Sequence, residues 1–151
     1  MAELLQIEEL RTYLVDEGIV QLPEDTGDLP ICYLEPRDGA KQPDTTTRQT
    51  TLTLTDSNEV VPERQEEFLD QMVINFTVRA YKTQDGKLLH RQIKQLLNGA
   101  QLVMVGELLC ESINMWRGYR LLGSDKDSFT SDTSYIVAAR HKSLAGLPYA
   151  P

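Results

Sequence analysis

The side chains that most often carry catalysis or bind metals are few in this chain. Its two histidines, His90 and His141, have no sequence partner at a spacing typical of a catalytic pair. Its two cysteines, Cys32 and Cys110, lie far apart and show no zinc-ligand spacing, so we expect two reduced thiols. The sequence contains no G-x-S-x-G, P-loop, H-E-x-x-H or C-x-x-C motif. It therefore predicts a protein that is not an enzyme and has no catalytic, metal-binding or cofactor-binding residues.

Charge restricts the class of partner. The chain has 23 acidic and 15 basic residues, a formal net charge of −8. Proteins that grip nucleic acid need clustered lysine and arginine, so this balance argues against tight DNA binding. An acidic wall repels the phosphate backbone and would let DNA slide past without sticking. The acidic run Glu63, Glu66 and Glu67 is typical of a solvated face.

Four residues are candidates for an interface. Lys87, Arg91 and Lys94 recur at i, i+4 and i+7 on one face of a predicted helix. Such a stripe is usually solvated, and the alternative is a contact with an acidic neighbour. Trp116 is the only tryptophan, which fits either core packing or an interface anchor.

The elements that would position these residues fit one domain, residues 1–151. Residues 71–80 alternate strictly between apolar and mostly polar, which predicts a strand covered on one face only. We expect an α+β fold with a mainly antiparallel sheet and two helices packed on one face. Helices are predicted at 2–16 and 85–97, strands at 31–35, 71–80, 107–117 and 133–140, and a turn at 117–125.

Two segments are expected to lie outside the compact body. Residues 36–66 are rich in Thr, Gln, Asp, Glu and Pro, and we expect a long projecting loop or hairpin arm. Leu52 and Leu54 alternate with threonines there, which indicates a strand with one apolar face. Residues 144–151 are predicted to form a loose C-terminal tail. No apolar run is long enough to cross a bilayer, and the N-terminus does not resemble a signal peptide.

Several segments together form a recognisable layout. They are an opening helix ending at Gly18, the strand PICYL at 30–34, the strand VINFTVR at 73–79 leading into a helix that ends LLNG at 96–99, and the segments LLGSD at 121–125 and SYIVAAR at 134–140. This layout, which covers most of the chain, resembles the tail terminator proteins of long-tailed bacteriophages, within the wider group of phage neck and minor capsid proteins.

The resemblance implies a structural protein of the virion, made in the host cytoplasm and located at the junction of tail and neck. Such proteins form hexameric rings that cap the tail tube, stop its polymerisation and present a surface for head-tail joining. The expected partners are further copies of the chain, the major tail tube protein and a head-side connector protein. Genomic DNA would pass through the lumen without specific binding, and no membrane is involved. Two alternatives remain open: another neck component, such as a head-completion or head-tail joining protein, and a small cytosolic enzyme.

Overall fold

A computed structural model of the chain describes residues 7–34, 49–56, 69–105, 108–125 and 128–140. Over these residues the chain forms two helices and six strands, so the predicted α+β class is confirmed. In chain order the elements are α1 (Ile7–Asp16), β1 (Ile31–Leu34), β2 (Thr51–Asp56), β3 (Leu69–Ala80), α2 (Thr83–Leu97), β4 (Ala100–Val105), β5 (Leu108–Asp125) and β6 (Ser128–Arg140).

The six strands form one sheet in the order β1-β2-β3-β6-β5-β4. Four of the five neighbouring pairs are antiparallel, as expected, but β1 and β2 run parallel, so the sheet is mixed. The backbone of Cys32 donates a hydrogen bond to the Gln21 carbonyl, which covers the outer edge of β1. Strand β4 is the edge strand at the other end of the sheet, and no further strand among the described residues pairs with its outer side.

The core lies between one face of this sheet and both helices. Helix α1 buries Ile7, Leu10 and Leu14, and α2 buries Leu89, Ile93 and Leu97, each set at helical spacing. On the sheet, the rings of Phe76 and Tyr135 meet edge to face with centroids 5.1 Å apart. Side chains from both helices belong to one continuous apolar cluster with the sheet, which confirms that the helices share a face.

The segment expected to project is in part a central piece of the sheet. The strand predicted from the alternation of Leu52 and Leu54 with threonines exists as β2, but it lies between β1 and β3 and hydrogen-bonds to both. Leu52 and Leu54 are fully buried against the helices, because a period-two apolar face needs a core to cover it. Residues 51–56 therefore do not belong to a projecting arm. Residues 36–48 and 57–66 of the expected arm, and the expected tail at 144–151, lie outside the described residues.

The predicted turn at 117–125 is wrong, because these residues continue β5 to Asp125 and pair with β6. The register between the two strands shifts four times, and three shifts fall between Met115 and Gly123. Each such irregularity places extra residues on one strand, which breaks the alternation from which a strand is predicted. Strand β4, at Ala100–Val105, was not predicted as a separate strand.

Candidate functional site

A cleft of about 400 Å³ lies between α2 and β5, and it contains the three predicted basic residues. One turn of α2 separates each of them from the next, so they form a single wall. The opposite wall belongs to the bulged part of β5. The lining consists of Lys87, His90, Arg91 and Lys94 from α2, Met115, Gly118 and Tyr119 from β5, and Thr133 from β6. We call it the basic cleft.

His90 lies at the inner side of the basic cleft and is buried. Its Nε2 is 2.9 Å from the Ser131 hydroxyl, and its Nδ1 is 3.3 Å from the Thr133 hydroxyl. The ring of Tyr119 stands edge-on to it, 5.3 Å away. Burial lowers the pKa of His90 to about 4, opposed by the charge of Asp132. The imidazole is therefore neutral at pH 7, and the positive charge of the cleft comes from its lysines and arginine.

This burial makes stability depend on pH. The unfolded chain takes a proton on His90 near the ordinary histidine pKa, about 6.5, whereas the folded chain does so only near 4. The free energy of unfolding should therefore fall as the pH drops from 6.5 to 4, by on the order of 2 kcal/mol. Urea unfolding at pH 7.5 and pH 4.5 measures this loss. His90→Gln should lose less stability over the same interval, and an equal loss in both proteins would contradict the assignment.

The three cations of the basic cleft make no ion pair with another described side chain. Arg120 differs, since its guanidinium donates two hydrogen bonds to the carboxylate of Asp132, at 2.8 and 3.2 Å. Asp132 is buried in β6, and this bidentate pair holds the irregular part of β5 in its register. The wall that carries Tyr119 is thus fixed, while the facing cations remain available to a ligand.

The end of the sheet exposes apolar side chains. Strand β4 pairs with β5 only as far as Ile113, so the rest of β5 has a described strand on one side alone. Eight large apolar side chains are exposed among the described residues, and six of them lie on these two strands. We call the six the edge surface: Leu102, Met104, Trp116, Tyr119, Leu121 and Leu122. Trp116 belongs to this surface and does not line the basic cleft.

A second cleft, also about 400 Å³, lies on another flank of α2. It presents the carboxylates of Asp28 and Asp85 beside the exposed side chains of Leu29 and Leu88. These account for the other two exposed apolar residues of the described chain. Sequence patterns did not indicate this acidic cleft, because its parts come from three distant segments. Helix α2 therefore has a basic concave surface on one flank and an acidic one on another.

The described residues include two cysteines and no group of metal ligands. Within the described ranges, no three histidine, cysteine, aspartate or glutamate side chains are grouped so that they could hold a metal ion. Cys32 and Cys110 are free thiols, as predicted, and both are buried. Burial raises the pKa of each thiol to about 12, so neither is a thiolate nucleophile at neutral pH.

No protein-family model and no curated protein matches the sequence. Its two helices among the described residues are 10 and 15 residues long. Neither has the length and apolar content that a helix needs to span a bilayer.

Proposed function

We propose that this chain is a structural protein of a phage virion that assembles into a hexameric ring at the end of the tail tube. In this role it caps the tube, stops its polymerisation and presents the surface on which head and tail join. The edge surface is the observation that carries the proposal. The resemblance to tail terminator proteins supplies the particular role and the ring of six.

The edge surface is unlike the surface of a typical solitary domain. A monomer scatters single apolar residues, whereas here six large ones follow two adjoining strands. Two of them, Trp116 and Tyr119, are of the types that dominate binding energy at protein interfaces. Fully burying an exposed side chain of this kind contributes about 1.5–3 kcal/mol, and these six are 38–64% exposed, so each could add roughly half of that to a contact.

The surfaces around α2 suit a ring better than a two-fold dimer. A head-to-tail ring needs two different patches on each subunit, so that one patch meets the other patch on the next copy. The edge surface, the basic cleft and the acidic cleft differ in charge and in apolar content. Six subunits would then bind the tube end together, and six weak contacts acting jointly give an avidity far above that of one. Binding alone accounts for the activity, with no chemical step.

The proposal predicts a stoichiometry that can be measured. Purified tail tubes, mixed with the protein and examined by electron microscopy, should carry one six-fold ring at one end. Capped tubes should no longer lengthen when tail tube protein is added, because the ring occupies the growing end. Light scattering over a concentration series gives the mass of the protein alone. A ring of another symmetry, or tubes that lengthen as fast with the protein as without it, would contradict the proposal.

A further inference from the structure

We propose that the basic cleft binds the acidic segment 57–68 of a second copy of this chain, so that charge complementarity joins neighbouring subunits. This inference deepens the proposed function and rests on it, since it requires assembly between copies. It concerns one contact only, and it can fail while the tail-terminator role stands.

The cleft has the charge and shape for an acidic peptide. Lys87, Arg91 and Lys94 form one wall and have no ion-pair partner among the described residues. Met115 and Tyr119 form the other wall, with apolar surface for a side chain to pack against. A peptide that fits both walls carries carboxylates next to apolar residues. Because burial keeps His90 neutral, the preference for carboxylates depends on the three long cationic side chains.

Residues 57–68 have this composition. They contain four glutamates and one arginine, a net charge of −3, together with Val60, Val61 and Phe68. The other internal stretch outside the described residues with several charges, 35–48, has three basic and three acidic residues, a net charge of 0. The segment therefore offers one negative charge for each of the three cations of the cleft, as well as apolar groups for Met115 and Tyr119.

A neighbouring copy is a better source of the segment than the same chain. The segment returns to the sheet at Leu69, opposite Arg140, whereas the cleft lies at Thr133, seven residues along β6. That difference is roughly 23 Å along the strands. The segment also starts from β2, which lies three strands from β5 in the sheet. At its start, Asp56 lies level with Tyr135, two residues from Thr133, so the path from Asp56 to the cleft and back to Leu69 is roughly 35 Å in the plane of the sheet. The chain between these ends can reach about 43–47 Å at 3.3–3.6 Å per residue, so few of its twelve residues could lie in the cleft of their own subunit. A second copy has no such constraint.

Nucleic acid fits the cleft less well. Duplex DNA presents phosphates along an extended path and needs several spaced cations, while this cleft groups three of them in one concave surface. The chain also carries a net charge of −8, which repels the phosphate backbone. An acidic peptide can enter the cleft without bringing a long anionic polymer close to the rest of the protein.

Two charge-reversed variants test the contact between copies. Lys87→Glu/Arg91→Glu/Lys94→Glu reverses the cleft, and Glu63→Lys/Glu66→Lys/Glu67→Lys reverses the segment. Each variant alone places like charges together, so we expect its self-association to weaken at least tenfold. An equimolar mixture pairs each altered surface with its complement in alternate subunits, and assembly should recover. Sedimentation velocity measures the assembly, and circular dichroism checks that each variant is folded. Folded variants that assemble like the wild type would overturn the inference, as would a mixture that fails to assemble.

A binding measurement separates this inference from the tail-terminator proposal. The receptor is the segment-reversed variant, whose own segment no longer competes for the cleft, at a concentration where it is monomeric. A labelled peptide of residues 57–68 should bind it, and the same peptide with its four glutamates changed to glutamine should bind at least tenfold more weakly. Absence of peptide binding, or tighter binding of a 20-base-pair duplex, would overturn the inference. Neither result bears on whether the wild-type protein caps tail tubes, which the tube experiment decides.

Discussion

If the chain is the proposed tail terminator, a phage that lacks this gene is expected to make filled heads and tails of variable, abnormal length that fail to join. The reason is that a tail tube without a cap keeps its growing end, where the next ring of tube protein can add. The effect should be all-or-none for infectivity, because the same ring would provide the surface for the head. Electron microscopy of lysates gives the distribution of tail lengths, and plaque counts give infectivity.

The control for this experiment is expression of the intact gene from a plasmid, which should restore both tail length and infectivity. Tails of normal length on infectious particles, made without this protein, would end the tail-terminator proposal. Heads that leak DNA beside tails of normal length would instead favour another neck component. Tail length therefore separates the two structural roles that the sequence leaves open.

Introducing charge into the edge surface is expected to abolish assembly while leaving the fold intact. Leu121→Asp/Leu122→Asp places two carboxylates on a stretch of β5 that is already exposed in the subunit. If both half-exposed leucines become buried in the ring, the change removes roughly half of about 1.5–3 kcal/mol of burial for each and adds the cost of desolvating two carboxylates. The association constant should therefore fall at least a hundredfold. Light scattering across a concentration series measures this loss for the free protein, and ring occupancy measures it on tail tubes.

A matched variant shows whether the position matters or only the added charge. Gln95→Asp also adds negative charge at an exposed site, on a part of α2 that lines neither cleft. It should assemble like the wild type, and both variants should unfold within about 0.5–1 kcal/mol of it. Equal loss of assembly in the two variants would point to net charge. Undiminished assembly of the leucine variant would remove the edge surface from the interface.

The sequence predicted those elements in which one periodicity holds from end to end. Strand β3 alternates over its whole length, and α2 keeps its leucines and isoleucine on one face, so both were placed within about two residues. The three basic residues of α2 share a cleft wall because they lie on one face of a regular helix. A local pattern was sufficient for each of these predictions.

Other features depend on contacts between distant segments. The second wall of the basic cleft comes from β5. The bulges and two glycines of this strand interrupt its alternating pattern, so its sequence predicts a turn. The position of β2 inside the sheet depends on its parallel pairing with β1, and a six-residue strand carries no signal for its neighbours. The sequence did not predict that His90 lines the cleft, because its burial depends on contacts with Ser131 and Thr133 of β6. The sequence signal that could have placed His90 in the cleft was its position between Lys87 and Lys94 on the same helix face.

The register shifts between Met115 and Gly123 limit which extended segments can pair with the open edge of β5. A straight, regular edge strand accepts almost any extended peptide, which makes it a template for aggregation. Here the open part of β5 spaces its backbone amides and carbonyls unevenly, so an arbitrary strand finds only a few of them in reach. Selectivity of this kind resides in backbone geometry more than in side-chain identity. The backbone of this edge therefore restricts which strands can pair with it, while its exposed apolar side chains are left for the contact between subunits.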